Sequence, residues 1–293
     1  MTATSTLHAL PRVTDSWSFV YVESAHIERH EYAIHVSTDQ HTFALPAAQC
    51  LVLMLGPGCT LTHAAAILLA ERGCGVVWCG EAGVRFYGHA MPETVVTTNL
   101  DRQVQAWASL AMQEAVARCM YRIRFPAEAL PATCSIAQLR GREGQRMRDI
   151  YAALAQQHGL TWIGRDTTIP NDTPLQQAIN VANSCLYGIC HAAIVAVGLS
   201  PALGFMHHGN QRSFVFDMAD LYKADVTLPI AFAAVAADER NIAQRVRRAC
   251  RDAFHAQRIL ERIVPDMYAV LGLSTPQVRY SVHARTRTSE GGE

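Results

Sequence analysis

The chain has 293 residues, half of them apolar and 17% charged, with a formal net charge of zero. That length suggests two domains with ample core, and the composition is that of an ordinary globular protein. A balanced charge does not by itself mark a nucleic-acid binder, so local clusters must carry any such argument. "MTATSTLHAL" lacks a basic region followed by an apolar core, so no secretory leader is expected. The longest apolar stretch, 190–205, is interrupted by His191, Gly198, Ser200 and Pro201. It falls short of the roughly 20 residues of a membrane span and reads as a buried helix with its exit turn. Nine cysteines without a CxxC pair read as free thiols of a cytoplasmic protein.

From Trp17 to Leu55 the pattern is short and β-like: "SFVYVESAHI", "YAIHVST", "HTFALP" and "CLVLML" are rich in Val, Ile, Tyr, Phe and Thr. "GPG" (56–58) breaks the run, and "THAAAILLAERG" (62–73) reads as a helix capped by Thr62 and stopped by Gly73. "CGVVWCG" (74–80) and "VRFYG" (84–88) read as strands. After "MPETVVTTN" (91–99) helical periodicity takes over. One long helix is expected at 100–125, with others at 144–158, 174–197, 213–223 and 241–263, and a loop at 162–175. The expectation is an α+β chain: a β-rich, β-sandwich-like domain with one helix over 1–95, an all-α domain over 96–272, and a polar, flexible tail over 273–293.

Charge is unevenly spread. Residues 1–100 hold 4 Arg against 8 Asp and Glu; residues 101–293 hold 21 Arg and Lys against 17. Only Lys223 is a lysine, and arginine's planar fork suits phosphate oxygens. Three stretches could carry chemistry. In "HHGNQRSFVFDMAD" (207–220), a helix from 213 puts Asp217 and Asp220 on one face, with His207 on the turn before it. Two carboxylates with a histidine suit Mg²⁺ or Mn²⁺ better than a structural zinc. Surface aspartates at an exposed helix start explain this stretch equally well. In "LRGREGQRMRDIY" (139–151), Arg140, Arg142, Arg146 and Arg148 surround Glu143, with a helix starting near Gly144. Such a glutamate is more often a salt-bridge partner, yet a phosphodiester-cutting site needs the same set. In 240–258, Arg240, Arg247, Arg251 and Arg258 recur at helical spacing, as a solvated face or a phosphate-tracking stripe. His26, His30, His35 and His41 lack metal-type spacing. No GxGxxG, GxxxxGK[ST] or GxSxG occurs.

Taken in order, "GPG" (56–58), "THAA" (62–65), "VWCGEAGVRFY" (77–87), "QLRGREGQRMR" (138–148), "SCLYG" (184–188), "GFMHHG" (204–209) and "SFVFDMAD" (213–220) resemble the running text of one family. It is the CRISPR-associated integrase of the spacer-acquisition (adaptation) module, type I-E branch. The resemblance spans roughly residues 15–270. It implies a β-rich N-terminal domain, a helical C-terminal domain and a Mg²⁺ or Mn²⁺ site of Glu143, His207 and Asp220. Asp217 falls at a position close to the metal, and His208 at a variable one. The resemblance also implies duplex-DNA contacts by Arg85, Arg140, Arg148, Arg165, Arg247 and Arg251, and contact of Tyr187 with the end of the incoming DNA. The DNA partners would be a protospacer duplex with free 3′ ends and CRISPR repeat DNA. The protein partners would be a second copy of the chain, in a homodimer, and a small companion protein bridging two dimers; no membrane is involved. Asn210 and Phe216 depart from the family's lysine and tyrosine, leaving Arg212 as the nearby cation. Segment 56–67 lacks arginines that relatives carry. The implied activity is integration of short duplexes into a CRISPR array by attack of 3′-hydroxyls. A nuclease for branched DNA without integration, and a non-catalytic DNA-binding scaffold, remain as alternatives.

Overall fold

The computed structural model describes residues 17–39, 41–47, 50–81, 85–90, 97–128, 134–162, 164, 173–238 and 240–273. The chain divides into two compact units. One is built on the residues up to Trp78 with His89–Thr94, the other on Cys79–Gly88 and Val95–Thr275. A strand-rich N-terminal region is followed by a helical region, as the sequence leads one to expect.

The strand-rich part contains β1 (Trp17–Val22), β2 (Ala25–His30), β3 (Ala33–Thr38), β4 (Thr42–Leu45), β5 (Cys50–Leu55), β6 (Thr60–Leu61), α1 (His63–Glu71), β7 (Gly75–Cys79) and β8 (Phe86–Ala90). One sheet has the order β1-β5-β7-β8, with β1, β5 and β7 parallel; the other has the order β4-β3-β2-β6. "SFVYVESAHI" reads as one apolar stretch, but it is two strands in two sheets. The break falls at Ser24, whose φ is 49°. Ser24 N donates to Pro57 O at 2.8 Å and Gly56 N to Val22 O at 2.7 Å, so the turn is locked to the GPG segment. Ile27, Ile34, Val36 and Leu45 of one sheet share a core with Leu53, Leu55 and Val76 of the other and with Leu68 and Leu69 of α1. Thr62 caps α1, its Oγ accepting from Ala65 N at 3.3 Å.

The helical part runs α2 (Thr98–Ala108), α3 (Leu110–Arg124), α4 (Ile136–His158), α5 (Pro174–Ala196), α6 (Ser213–Tyr222), a π-helical segment (Lys223–Thr227), α7 (Leu228–Ala237), α8 (Ile242–Ala256) and α9 (Ile259–Leu271). Four expectations are corrected. The helix at 100–125 is two, parted at Ser109, which turns extended and caps α3. The helix expected near Gly144 starts at Ile136, where Ser135 and Gln138 form a reciprocal capping box. It then runs through Gly141 and through Gly144, where the helix start is expected from the sequence. The helix at 241–263 is also two, parted where Arg258 adopts φ 50°. α7 had no counterpart: it is apolar nearly all round, so it carries no amphipathic signal.

α5 packs against α6, α7, α8 and α9. By length and composition it could cross a membrane, but 72% of its most apolar window is buried inside the protein. Asn183 within it accepts a hydrogen bond from Thr227 Oγ1 at 3.0 Å. It is the hub on which α6, and with it Asp217 and Asp220, is set. The nine cysteines are free thiols.

Candidate metal centre

The site begins with a turn that has no room for a side chain. A Cβ on Gly204 would lie 2.4 Å from His207 O and 2.7 Å from Ser213 Cβ, so the backbone of 204–207 folds tightly over the start of α6. This aims three consecutive N–H groups at one carboxylate. Met206 N donates to Asp217 Oδ2 at 3.1 Å, Phe205 N donates to the same oxygen, and His207 N donates to Oδ1 at 2.9 Å. Asp217 is 1% exposed. Its fourth donor is the His207 ring, with Nδ1 2.8 Å from Oδ1. A carboxylate only accepts, so in the neutral ring the proton sits on Nδ1 and the Nε2 lone pair is left bare. Nε2 lies 3.9 Å from Asp220 Oδ2.

Asp220 divides its oxygens. Oδ1 takes the Lys223 ammonium at 2.5 Å, while Oδ2 faces His207 Nε2 and, at 3.8 Å, Arg124 Nη1. Burial pushes the Asp220 carboxyl up, but Lys223 and Arg124 outweigh it and hold it below the usual carboxylate value. Burial likewise works against the Lys223 ammonium, and Asp220 and Tyr187 overcome it, so its pKa is raised. The ammonium also lies 4.8 Å over the Tyr187 ring, whose edge meets Phe216 at 5.0 Å. Lys223 opens the π-helical segment, a local irregularity often placed at functional sites.

Glu143 is not ringed by its neighbours in sequence. Arg140 Nη2 donates to Met206 O at 2.6 Å, Arg146 Nε lies 3.4 Å from Glu128, and Arg148 Nη2 donates to Gln145 Oε1 at 2.7 Å. The partner of Glu143 Oε1 is Arg124 Nη1, from the end of α3. Glu143, Arg124, Asp217, Asp220 and Met206 line one cavity with Tyr121. Among the described residues, no three His, Cys, Asp or Glu side chains are gathered at metal-holding distances. Glu143 and Asp220 meet instead at a single nitrogen of Arg124. The donor set fits a hard divalent ion in kind: two carboxylates already converging on a cation, and an imidazole with a bare Nε2.

His207 has a raised pKa, first through its hydrogen bond to Asp217 and then, against burial, through Asp220. The sign follows. In metal-free protein the stability from this imidazolium is fully present below the ordinary value of about 6.5 and is lost as pH rises through the raised folded value. Thermal midpoints of wild type and His207→Gln, compared without metal from pH 5 to 8, will differ most at low pH and converge as pH rises. A difference that stays constant or grows with pH contradicts this.

Other expected residues are spread more widely. Tyr187 joins the site; His208 is exposed. Exposed Arg85 stacks on Tyr87 at 5.7 Å, and Gly188 lets the Arg85–Phe86 backbone approach α5. Asn210 Oδ1 accepts from Arg212 N, and the Arg212 guanidinium covers the Phe216 ring at 5.4 Å. Arg165 lies outside the described residues. Arg247 and Arg251 are on α8, Arg251 donating to Asp252 Oδ1 at 2.7 Å. Arg240 and Arg258 fall beyond its ends and pair with Asp238 and Glu261, so the four-arginine stripe is not one helix face. The sequence reading missed Arg124 and Lys223 as site residues. Lys223 carried a signal, three residues from Asp220; Arg124 carried none.

The family profile "CRISPR associated protein Cas1" matches residues 95–243, which contain Glu143, His207, Asp217 and Asp220. The CRISPR-associated endonuclease Cas1 2 of Thermus thermophilus is 43% identical over 275 residues, covering 92% of this chain and 84% of that one. This chain belongs to the Cas1 family. The CRISPR-associated endonuclease Cas1 of Escherichia coli is 40% identical over 231 residues, covering 78% of this chain and 75% of that one. A crystal structure of a TtCas1–DNA complex superposes with a TM-score of 0.81 at 43% identity, over 89% of this chain and 99% of that one. The matched Cas1 span stops short of Arg247 and Arg251 and begins after Arg85.

Proposed function

We propose that this Cas1-family chain is a metal-dependent DNA integrase, which joins the 3′-hydroxyls of short protospacer duplexes to phosphodiesters at the boundary of a CRISPR repeat. One observation carries the reading. Asp217, buried and fully engaged by four donors, fixes the tautomer that leaves the neutral His207 ring with a bare Nε2 beside Asp220 Oδ2. A metal-ligating histidine almost always donates its other ring N–H to such an acceptor, which fixes the ring's orientation. Glu143, His207 and Asp220 would hold Mg²⁺ or Mn²⁺. When bound, the ion supplies charge stabilisation at a scissile phosphate and eases ionisation of the attacking hydroxyl. The chain's own residues set the geometry. Asp217 orients the ring, Lys223 holds Asp220 by its far oxygen, and Tyr187 and Phe216 offer an aromatic wall for a DNA end.

The relatives named as endonucleases, and the TtCas1–DNA complex, support a DNA substrate. The homodimer, the small companion protein bridging two dimers, the type I-E assignment, the cytoplasmic location and domain limits at 95 and 272 belong to the same proposal and rest on the motif text. The test is integration of a labelled duplex into a plasmid-borne repeat array by the purified chain with its companion. We expect product with Mg²⁺ or Mn²⁺ and none with EDTA. Product in EDTA overturns the reading.

Arg247 and Arg251 have a separate test. If both track phosphates, Arg247→Ala and Arg251→Ala each weaken duplex binding and reduce the slope of log K against log salt by about 1. An unchanged slope removes that face of α8 from the DNA path.

A further inference from the structure

We propose that Arg124 is the resident cation of the site: in metal-free protein it holds Glu143 and Asp220 together, and a divalent ion must displace it to reach them. This rests on the reading of Glu143, His207 and Asp220 as a metal centre.

Arg124 Nη1 is hydrogen-bonded to Glu143 Oε1 and lies 3.8 Å from Asp220 Oδ2. Those carboxylates come from α4 and α6, so the guanidinium ties three helices together at one point. Lys223 occupies the other oxygen of Asp220, which leaves Oδ2 as the one open to a further cation. His207 Nε2 faces that same Oδ2. An ion bound by Glu143, His207 and Asp220 would therefore sit at Asp220 Oδ2, the oxygen that Arg124 Nη1 also approaches while it holds Glu143 Oε1.

The side chain is built for a place but not fully satisfied there. It is 7% exposed, set in the last turn of α3, where the helix dipole favours a cation. Yet Nε is buried with no hydrogen-bond partner among the described residues. Buried arginine–carboxylate pairs are frequently bidentate, and most buried donors are satisfied. Arg124 engages both carboxylates through Nη1 and leaves Nε–H orphaned, a cost that release into a wetter position removes. Two carboxylates, Glu143 and Asp220, face two fixed cations here, Arg124 and Lys223. Without Arg124, unneutralised carboxylates repel and their elements part; with it, the pocket is folded before metal arrives. The consequence is a weaker apparent metal affinity, since two cations within about 4 Å compete for the same oxygens.

The test is Mn²⁺ binding to the purified full-length chain, followed through the paramagnetic signal of free Mn²⁺, beside the thermal midpoint without metal. Wild type, Arg124→Gln and Asp220→Asn are compared. Arg124→Gln is expected to lower the metal-free midpoint and to bind Mn²⁺ about tenfold more tightly; Asp220→Asn is expected to lose binding. Affinity unchanged or weaker in Arg124→Gln, with Asp220→Asn still inactive in binding, overturns the resident cation and leaves the metal centre standing. Mn²⁺ binding that survives Asp220→Asn, or no binding by wild type, overturns both. If Arg124→Gln does not fold, the wild-type Nε–H resonance, identified by its loss in Arg124→Lys, answers the question. It should move saturably with Mg²⁺. A resonance unmoved at saturating Mg²⁺ contradicts displacement.

Discussion

Asp217→Asn will lose strand transfer by about 10²–10⁴-fold and destabilise the chain by about 2–4 kcal/mol, although it changes one atom. The carboxylate accepts from Phe205 N, Met206 N, His207 N and the His207 ring. An amide keeps one oxygen, so its NH₂ must face one of the two donor pairs. If it faces Phe205 and Met206, donor meets donor in a buried space and the 204–207 turn opens. If it faces His207, Nδ1 must become an acceptor and the ring proton moves to Nε2. In the first case the ring is displaced with the turn, and in the second it presents Nε2–H, so neither places a bare Nε2 beside Asp220. Apparent Mn²⁺ affinity should weaken by about 10–100-fold in the same variant, the scale seen when the group orienting a metal-binding histidine is lost. Chemical denaturation, Mn²⁺ titration and the strand-transfer rate report the three effects. A stable variant with wild-type rate would mean that Asp217 positions nothing.

Asp220→Asn is expected to abolish strand transfer and to cost about 3–5 kcal/mol of stability in metal-free protein. Lys223 is 13% exposed, and its ammonium is held at 2.5 Å by Asp220 Oδ1. Removing the charge leaves that cation partly buried with only the Tyr187 ring as support, and leaves Arg124 with Glu143 alone. Lys223→Met added to Asp220→Asn should restore part of the stability, because the stranded charge is removed, but none of the activity. A double variant no more stable than the single one would show that the Lys223 charge is not what Asp220 compensates.

Local chemistry was legible along the chain and long-range chemistry was not. Asp217 and Asp220 are three apart on a helix, and His207 sits on the turn before it, so half of the site is visible in one short stretch. The roles within that half were not. Burial of Asp217 under three backbone N–H groups depends on Gly204 admitting a turn with no Cβ. Glu143 was visible as a lone acid among arginines, but its partner is Arg124, 19 residues upstream on another helix. Periodicity alone cannot show which of two arginines in "RIRF" turns inward. Helix breaks were lost for a related reason. Ser109 and Arg258 interrupt amphipathic patterns that read through them, and the packing of the flanking helices decides the break. The capping box at Ser135 and Gln138 is present in the sequence as Ser-x-x-Gln, a start signal well ahead of the helix start expected near Gly144. The segments read as β-like, "YAIHVST" and "CLVLML", do hold strands, β3 burying Ile34 and Val36 in alternation and β5 burying Cys50 and residues 52–55.

Resolution of a branched duplex tests the central claim most directly, because it runs strand transfer in reverse and bypasses assembly with the companion. The purified chain and its His207→Ala variant would be given a half-integrated mimic with Mg²⁺, Mn²⁺ or EDTA, with duplex binding measured alongside. The account predicts metal-dependent resealing of the target strand by wild type, loss of resealing in the variant, and DNA binding retained in both. Resealing by His207→Ala at the wild-type rate, or resealing by wild type in EDTA, would contradict a metal centre built on His207. Cleavage without resealing would make this site a nuclease for branched DNA.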